Sequence, residues 1–158
     1  MNVAVIGIGQ SLRGDDAAGL EAVHRWQEQY PETARRPEVR VETSELPGLG
    51  LLDLLEGADG AVLVDAIQSS ALPGTIHYIS TKELSAFTPD TQSAHGWGVA
   101  ETLSLARTLN MPIRHTALRI VGIEAEQMNT GQGLSASVEE ALPEACTAIE
   151  REVQALLH

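Results

Sequence analysis

Two apolar runs constrain the fold of this chain more than any other feature of its sequence. Val3–Ile8 carries no polar side chain, and residues 61–64 repeat the pattern before Asp65. A short run without polar alternation is typical of a strand that is covered on both faces. Strands of this kind lie in parallel sheets with helices packed on each side, so the sequence predicts an α/β fold.

The remaining segments fit the same architecture. Further strands are expected at 39–43, 75–79 and 117–123, and helices at 16–30, 47–55, 99–109 and 137–157. Strands that alternate with helices favour a three-layer sandwich, here a mostly parallel sheet of about five strands with helices on both faces. The connection after Asp65 is too short for a parallel crossover, so the strand at 75–79 is expected to run antiparallel.

Length and charge limit the classes of partner. The 158 residues suit a single domain, residues 1–158. With 10 basic and 22 acidic residues, the net charge of −12 disfavours binding to nucleic acid and to membrane surfaces. Such a surface suits cations or a basic protein partner, although simple solubility also explains it.

Targeting signals and cysteine chemistry add little. The amino terminus does not resemble a signal peptide, and no apolar run reaches the roughly 20 residues that span a bilayer. We therefore expect a cytoplasmic protein, with a monomer favoured. Cys146 is the single cysteine, so an intramolecular disulfide and a cysteine-based metal cluster are both excluded. Its position in a predicted helix favours a small apolar filler of the core.

Three polar features are expected at the carboxyl edge of the predicted sheet, where open α/β sheets bind ligands. Asp16 ends the glycine-containing loop after the first strand, Asp65 ends the strand at 61–65, and His95 precedes a helix. Two carboxylates and an imidazole suit a divalent ion such as Zn²⁺ or Ni²⁺ and leave a position open for substrate or water.

Each of these residues also has a structural interpretation. Asp65 could cap a turn, and His95 could be an ordinary loop histidine. Of the adjacent carboxylates, Asp15 is the one expected to serve only the helix start, where acidic side chains satisfy free N–H groups. The remaining histidines lie in a predicted helix, in a strand or near an element end and are not expected in a site; they are His24, His77, His115 and His158.

Other catalytic signatures are missing from the sequence. Leu12 occupies the place where a dinucleotide-binding fingerprint requires a third glycine. The sequence contains no GxSxG elbow, HExxH pair or phosphate-binding GxxxxGK[ST] loop. Hydrolysis at this site would therefore depend on a metal that polarises a carbonyl or a water.

The motifs resemble a known family. In order along the chain these are VIGIGQSLRGDDAAG from residue 5, VLVDAI from residue 62, SAHGWG from residue 93 and VGIE from residue 121. Together they are similar to the hydrogenase maturation proteases, the M52-type endopeptidases. Departures from the family pattern occur at Gln10, at Ala17 and over residues 43–48, and they concern substrate choice more than fold.

The resemblance implies an endopeptidase that removes the C-terminal extension of a [NiFe]-hydrogenase large-subunit precursor after nickel insertion. It implies that Asp16, Asp65 and His95 are the catalytic and metal-recognising residues. The nickel would arrive with the substrate, and an ion such as Zn or Cd could act as its surrogate. The alternatives are a non-proteolytic metal-binding chaperone or inactive homologue that docks on a hydrogenase subunit, and a nucleotide-binding module.

Overall fold

A computed structural model describes residues 1–45, 49–80, 92–93 and 116–158. The predicted helix at 99–109 lies outside the described residues, as does His95. The strands are β1 (Val3–Ile8), β2 (Val39–Ser44), β3 (Gly60–Gln68), β4 (Ile76–Ser80), β5 (Gln92–Ser93) and β6 (Ala117–Glu124). The helices are α1 (Ala18–Gln29), α2 (Pro31–Ala34), α3 (Leu49–Leu55) and α4 (Ala136–Leu157), and a 3₁₀ turn, Gly14–Ala17, precedes α1.

The strands form one mixed sheet in the order β2-β1-β3-β6-β4. β2, β1, β3 and β6 run parallel, whereas β4 pairs with β6 in the antiparallel direction. This arrangement confirms the predicted α/β class and the antiparallel direction of the strand after Asp65. β5, which the sequence does not predict, adds a two-residue antiparallel pairing to the end of β3.

Both faces of β1 are covered, which explains its unbroken apolar run. Val3 and Val5 point to one layer, where they pack with residues of α1 and α4. The alternate side chains Ala4, Ile6 and Ile8 point to the opposite layer and share a core with α3. Helices therefore lie on both faces, as predicted. Within the described residues, no helix combines the length and apolar character needed to cross a bilayer.

The core on the face of α1 and α4 contains one buried indole ring and one buried thiol. Trp26 is fully buried, and its indole N–H donates to the Glu150 carboxylate at 2.9 Å. Cys146 is buried in the same core, and its thiol lies 3.6 Å from the carbonyl oxygen of Ala22. The thiol therefore acts as the small core filler that the sequence predicts.

Several element boundaries differ from the predicted ones. The helix expected from residue 16 starts as the 3₁₀ turn and becomes α-helical only at Ala18. Pro31 does end α1, but it also opens α2, because proline is favoured at the first position of a helix. The third strand continues to Gln68, because residues 66–67 are apolar and β6 stays paired with them up to Glu124.

α1 approaches the sheet so closely that only glycine fits at its second residue, Gly19. A Cβ atom on Gly19 would lie 2.2 Å from the carbonyl oxygen of Val64 and 2.6 Å from that of Ile8. Both obstacles are backbone atoms, which cannot rotate away as a side chain can. Gly19 thus sets the distance between the start of α1 and the carboxyl ends of β1 and β3.

This contact predicts a large difference between two glycine-to-alanine substitutions. Gly19→Ala should lower the free energy of unfolding by at least about 2 kcal/mol, because the new methyl group overlaps two carbonyl oxygens. Gly50→Ala is the matched control, since no described atom lies within 4 Å of its Cβ position in α3. That change should raise stability by about 0.5–1 kcal/mol. Urea denaturation measures both, and equal effects would contradict the packing argument.

Burial also predicts how Cys146 reacts. Desolvation raises the pKa of the Cys146 thiol above its ordinary value of 9.0. The folded state therefore favours the protonated thiol, and the stability linked to this group falls as the pH rises through 9.0. At pH 8, iodoacetamide should label the folded chain far more slowly than the chain in urea, because the thiolate is the nucleophile. Equal labelling rates by mass spectrometry would contradict this prediction.

Candidate functional site

Asp65 is the first residue of β3 after its pairing with β1 ends. β1 pairs with β3 only up to Gly7 opposite Val64, whereas β6 continues on the other side, with Gly122 opposite Asp65. The Asp65 side chain is only 2% exposed. The predicted strand end at Asp65 was wrong, since β3 continues to Gln68 and Asp65 lies inside the strand, just after its pairing with β1 ends.

Asp16 belongs to the 3₁₀ turn that leads into α1 and is fully buried. Its backbone N–H donates to the carbonyl oxygen of Arg13 at 3.0 Å. Gly9 packs against its other side, and a Cβ atom on Gly9 would lie 2.0 Å from the Asp16 carbonyl oxygen. The half-exposed guanidinium of Arg13 lies 3.9 Å from the Asp16 carboxylate. The glycine in the loop thus allows the turn to pack directly on the end of β1.

Asp15 has a different environment although it is equally buried. One of its carboxylate oxygens accepts from the backbone N–H groups of Glu126 and Gln127, at 2.8 and 3.1 Å. Ser135 donates to the two oxygens through its backbone N–H and its hydroxyl, at 2.7 and 2.8 Å. Asp15 therefore has a structural role, although not the predicted one at the start of its own helix. The N–H groups that it satisfies belong to the segment between β6 and α4, and not to its own helix.

The loop that carries both aspartates is also anchored through its backbone. Gly9 donates to the carbonyl oxygen of Ser44, and Ser11 donates to the carboxylate of Glu45, both at 3.0 Å. The Ser11 N–H lowers the pKa of Glu45 from its ordinary value. At the far end of the loop, Gly14 donates to the carbonyl oxygen of Gln132 at 3.0 Å. The loop is therefore held from β2 on one side and from the β6–α4 connection on the other.

These contacts bring the elements of Asp16 and Asp65 together. The 3₁₀ turn packs on β3, and the close contact of Gly19 with Val64 joins the start of α1 to the residue before Asp65. The third predicted ligand, His95, lies outside the described residues. β5 pairs Ser93 with Ile67, so the described chain passes beside β3 two residues before His95.

The donor chemistry fits a borderline divalent cation, although the described residues form only part of a site. Two aspartates supply anionic oxygens, and an imidazole would add a neutral nitrogen, a set that suits Zn²⁺ or Ni²⁺. Among the described residues alone, no three His, Cys, Asp or Glu side chains are grouped to hold a metal ion. A complete coordination sphere here would therefore need His95 or groups from a substrate.

The structure adds a buried carboxylate that sequence reasoning did not single out. Glu124 ends β6 and is 1% exposed. It accepts from the Ser69 backbone N–H at 2.8 Å, from the Ser69 hydroxyl, and from the His77 imidazole at 3.0 Å. The signal was present in the sequence, because Glu124 directly follows an apolar run, as Asp65 does. Glu124 anchors the turn that joins β3 to β4.

Three of the histidines that were not expected in a site are described. His24 is exposed on α1, 3.3 Å from Glu28, and His158 ends the chain next to α4. His77 contacts Glu124 and so supports the β4 edge of the sheet. His115 lies outside the described residues.

The Glu124 contacts predict a stability difference between two glutamates of the same segment. Glu124→Ala leaves three donors without their acceptor and should lower the free energy of unfolding by about 2–3 kcal/mol. Glu126→Ala removes an exposed carboxylate and should change stability by less than about 0.5 kcal/mol. Urea denaturation of both variants checks this. A Glu124→Ala chain as stable as Glu126→Ala would show that the carboxylate does not anchor the turn.

Comparison with known proteins identifies relatives over most of the chain. The sequence profile of the family described as hydrogenase maturation protease (HycI) matches residues 28–152. Asp65 and His95 fall inside that range, and Asp16 precedes it. The chain is 29% identical over 143 residues to the hydrogenase 2 maturation protease of Escherichia coli K12, covering 88% of this chain and 82% of that protein.

Two further similarities extend this result. The chain is 31% identical over 117 residues to HupD, a hydrogenase expression/formation protein of Bradyrhizobium diazoefficiens. That match covers 73% of this chain but only 59% of HupD, so the chain spans less than two thirds of that relative. The fold is similar to that of the E. coli hydrogenase maturating endopeptidase HybD, with a TM-score of 0.80 and 25% identity, over 98% of this chain and 93% of that one.

Proposed function

The chain belongs to the hydrogenase maturation protease family, and on that premise we propose that it processes a [NiFe]-hydrogenase large-subunit precursor. It acts as an endopeptidase that removes a C-terminal extension once nickel has been inserted. The nickel is part of the substrate and signals that metal loading is complete. Asp16, Asp65 and His95 recognise it.

One observation carries this proposal: two carboxylates are buried on elements that meet at the same sheet edge. Asp16 is fully buried and Asp65 is 2% exposed. Carboxylate oxygens are ligands for divalent cations, and open α/β sheets bind their ligands at this edge. A chain that places two of them beside the same strand end is well suited to receive a cation.

The direction of β5 supports the assignment of the third ligand. Gln92 pairs with Gln68 and Ser93 with Ile67, so the chain moves toward Asp65 as its residue numbers increase. His95 follows Ser93 by two residues. A neutral imidazole from His95 would complete an O,O,N donor set that fits Ni²⁺ and leaves coordination positions for the substrate's own ligands.

Each of the three residues then has a chemical role. Asp16 and Asp65 supply anionic oxygens to the substrate's nickel, and His95 supplies a nitrogen. Nickel held in this way positions the scissile region and acts as a Lewis acid toward its carbonyl. The net charge of −12 also favours the approach of a cationic metal centre.

The proposal predicts nickel-dependent cleavage. When the chain is incubated with a nickel-loaded large-subunit precursor, mass spectrometry should show loss of a C-terminal peptide, and a nickel-free precursor should stay intact. Asp16→Asn, Asp65→Asn and His95→Ala should each lower the cleavage rate at least about a hundredfold, since changes in outer-shell partners alone cost up to that much.

Matched controls separate loss of a ligand from loss of charge. Asp53→Asn on α3 and His24→Ala on α1 alter the same residue types at exposed positions and should cleave at the wild-type rate. Stable binding of the precursor without any change in its mass would overturn the protease assignment and favour the chaperone. Equal cleavage of the nickel-free precursor would overturn recognition of the metal and leave the endopeptidase activity standing.

A further inference from the structure

We infer that Asp15 and Ser135 form a positioning pair that sets the place and orientation of Asp16. The consequence for cleavage rests on the proposed function, whereas the effect on Asp16 itself can be tested separately. The pair joins the loop after β1 to the start of α4, two parts of the chain that are 120 residues apart.

Both carboxylate oxygens of Asp15 accept hydrogen bonds. Its carboxylate accepts four hydrogen bonds, from Glu126, Gln127 and twice from Ser135, all between 2.7 and 3.1 Å. Its own backbone N–H donates to the carbonyl oxygen of Gln127 at 2.9 Å. Asp15 is thus fixed through both its side chain and its backbone.

Ser135 both caps α4 and binds Asp15. This residue is the N-cap of α4, and its hydroxyl oxygen accepts from the backbone N–H of Val138 at 3.4 Å. The same hydroxyl donates to Asp15 at 2.8 Å. Asp15 is therefore hydrogen-bonded to the N-cap of α4, a helix of 22 residues that packs against the sheet. The anchor is a rigid element and not another loop.

The 3₁₀ turn transmits the constraint from Asp15 to its neighbour Asp16. A 3₁₀ turn has about three residues per turn, so neighbouring side chains diverge by about 120°. Fixing Asp15 toward the β6–α4 segment therefore directs Asp16 elsewhere. On the opposite side, Gly9 lies against the Asp16 carbonyl and prevents the turn from shifting back. Asp16 is held between these two contacts.

The geometry also explains why a carboxylate is needed at position 15. One oxygen accepts from the Ser135 N–H, and the other accepts from the remaining three donors. An asparagine would present an NH₂ group to one of these two sets, whichever way the amide is turned. Asp15→Asn should therefore release the turn, although it preserves the size of the side chain.

Isotope-edited NMR on the full chain tests the inference directly. Ser135→Ala removes the hydroxyl, and the ¹³Cγ resonance of Asp16 should shift as its surroundings change. Ser135→Thr keeps the hydroxyl and should restore the wild-type resonance. With nickel-loaded precursor, Ser135→Ala should cleave about tenfold to a hundredfold more slowly, the scale expected for a misplaced reacting group. Ser135→Thr should cleave at nearly the wild-type rate.

A core variant controls for general destabilisation. Ile149→Val on α4 removes one buried methyl group, lowers stability, and should leave the Asp16 resonance and the cleavage rate unchanged. An Asp16 resonance that is the same in Ser135→Ala and wild type would overturn the inference, as would an equal shift in Ile149→Val. If the wild-type chain fails to cleave the precursor, the proposed function is overturned, and the NMR comparison still decides whether the pair positions Asp16.

Discussion

The close contact between Gly19 and the ends of two strands governs the geometry of this molecule. Because Gly19 has no Cβ atom, α1 can begin almost in contact with the carbonyl oxygens of Ile8 and Val64. The turn that precedes α1 then folds against the end of β1 and packs on β3, the strand that carries Asp65. Together with the hydrogen bonds that hold the loop, this contact fixes the elements of the two carboxylates relative to each other.

The buried carboxylates fall into two groups. Asp15 and Glu124 accept hydrogen bonds from distant parts of the chain and stabilise the connections on which they lie. Asp16 and Asp65 lie where β1 ends and β3 continues, at the edge where α/β sheets bind ligands. Burial alone does not distinguish the groups, since all four side chains are almost fully covered. Their place in the sheet does.

Much of the fold could be predicted because its signals are local. The apolar run of β1 indicates a strand covered on both faces, and the short link after β3 requires β4 to turn back. β5 has only two residues, too few to carry a periodic pattern. The partners of Asp15 are 111 to 120 residues away in sequence, so no local pattern could reveal them. The structure brings the elements of Asp16 and Asp65 together at one sheet edge, as expected from parallel strands. The role of these two residues and of His95, which lies outside the described residues, stays a prediction.

The position of Asp65 inside β3, and not at its end, has a consequence for ion selection. A carboxylate on a loop can move to follow a cation of any radius, whereas the backbone of Asp65 is bound into the register with β6 on both sides of the residue. If Asp65 binds the substrate's nickel as proposed, the ion would meet a carboxylate whose backbone position is fixed by the sheet. A ligand held in this way would favour ions of matching size and coordination geometry, and geometry of this kind achieves selectivity that affinity alone does not.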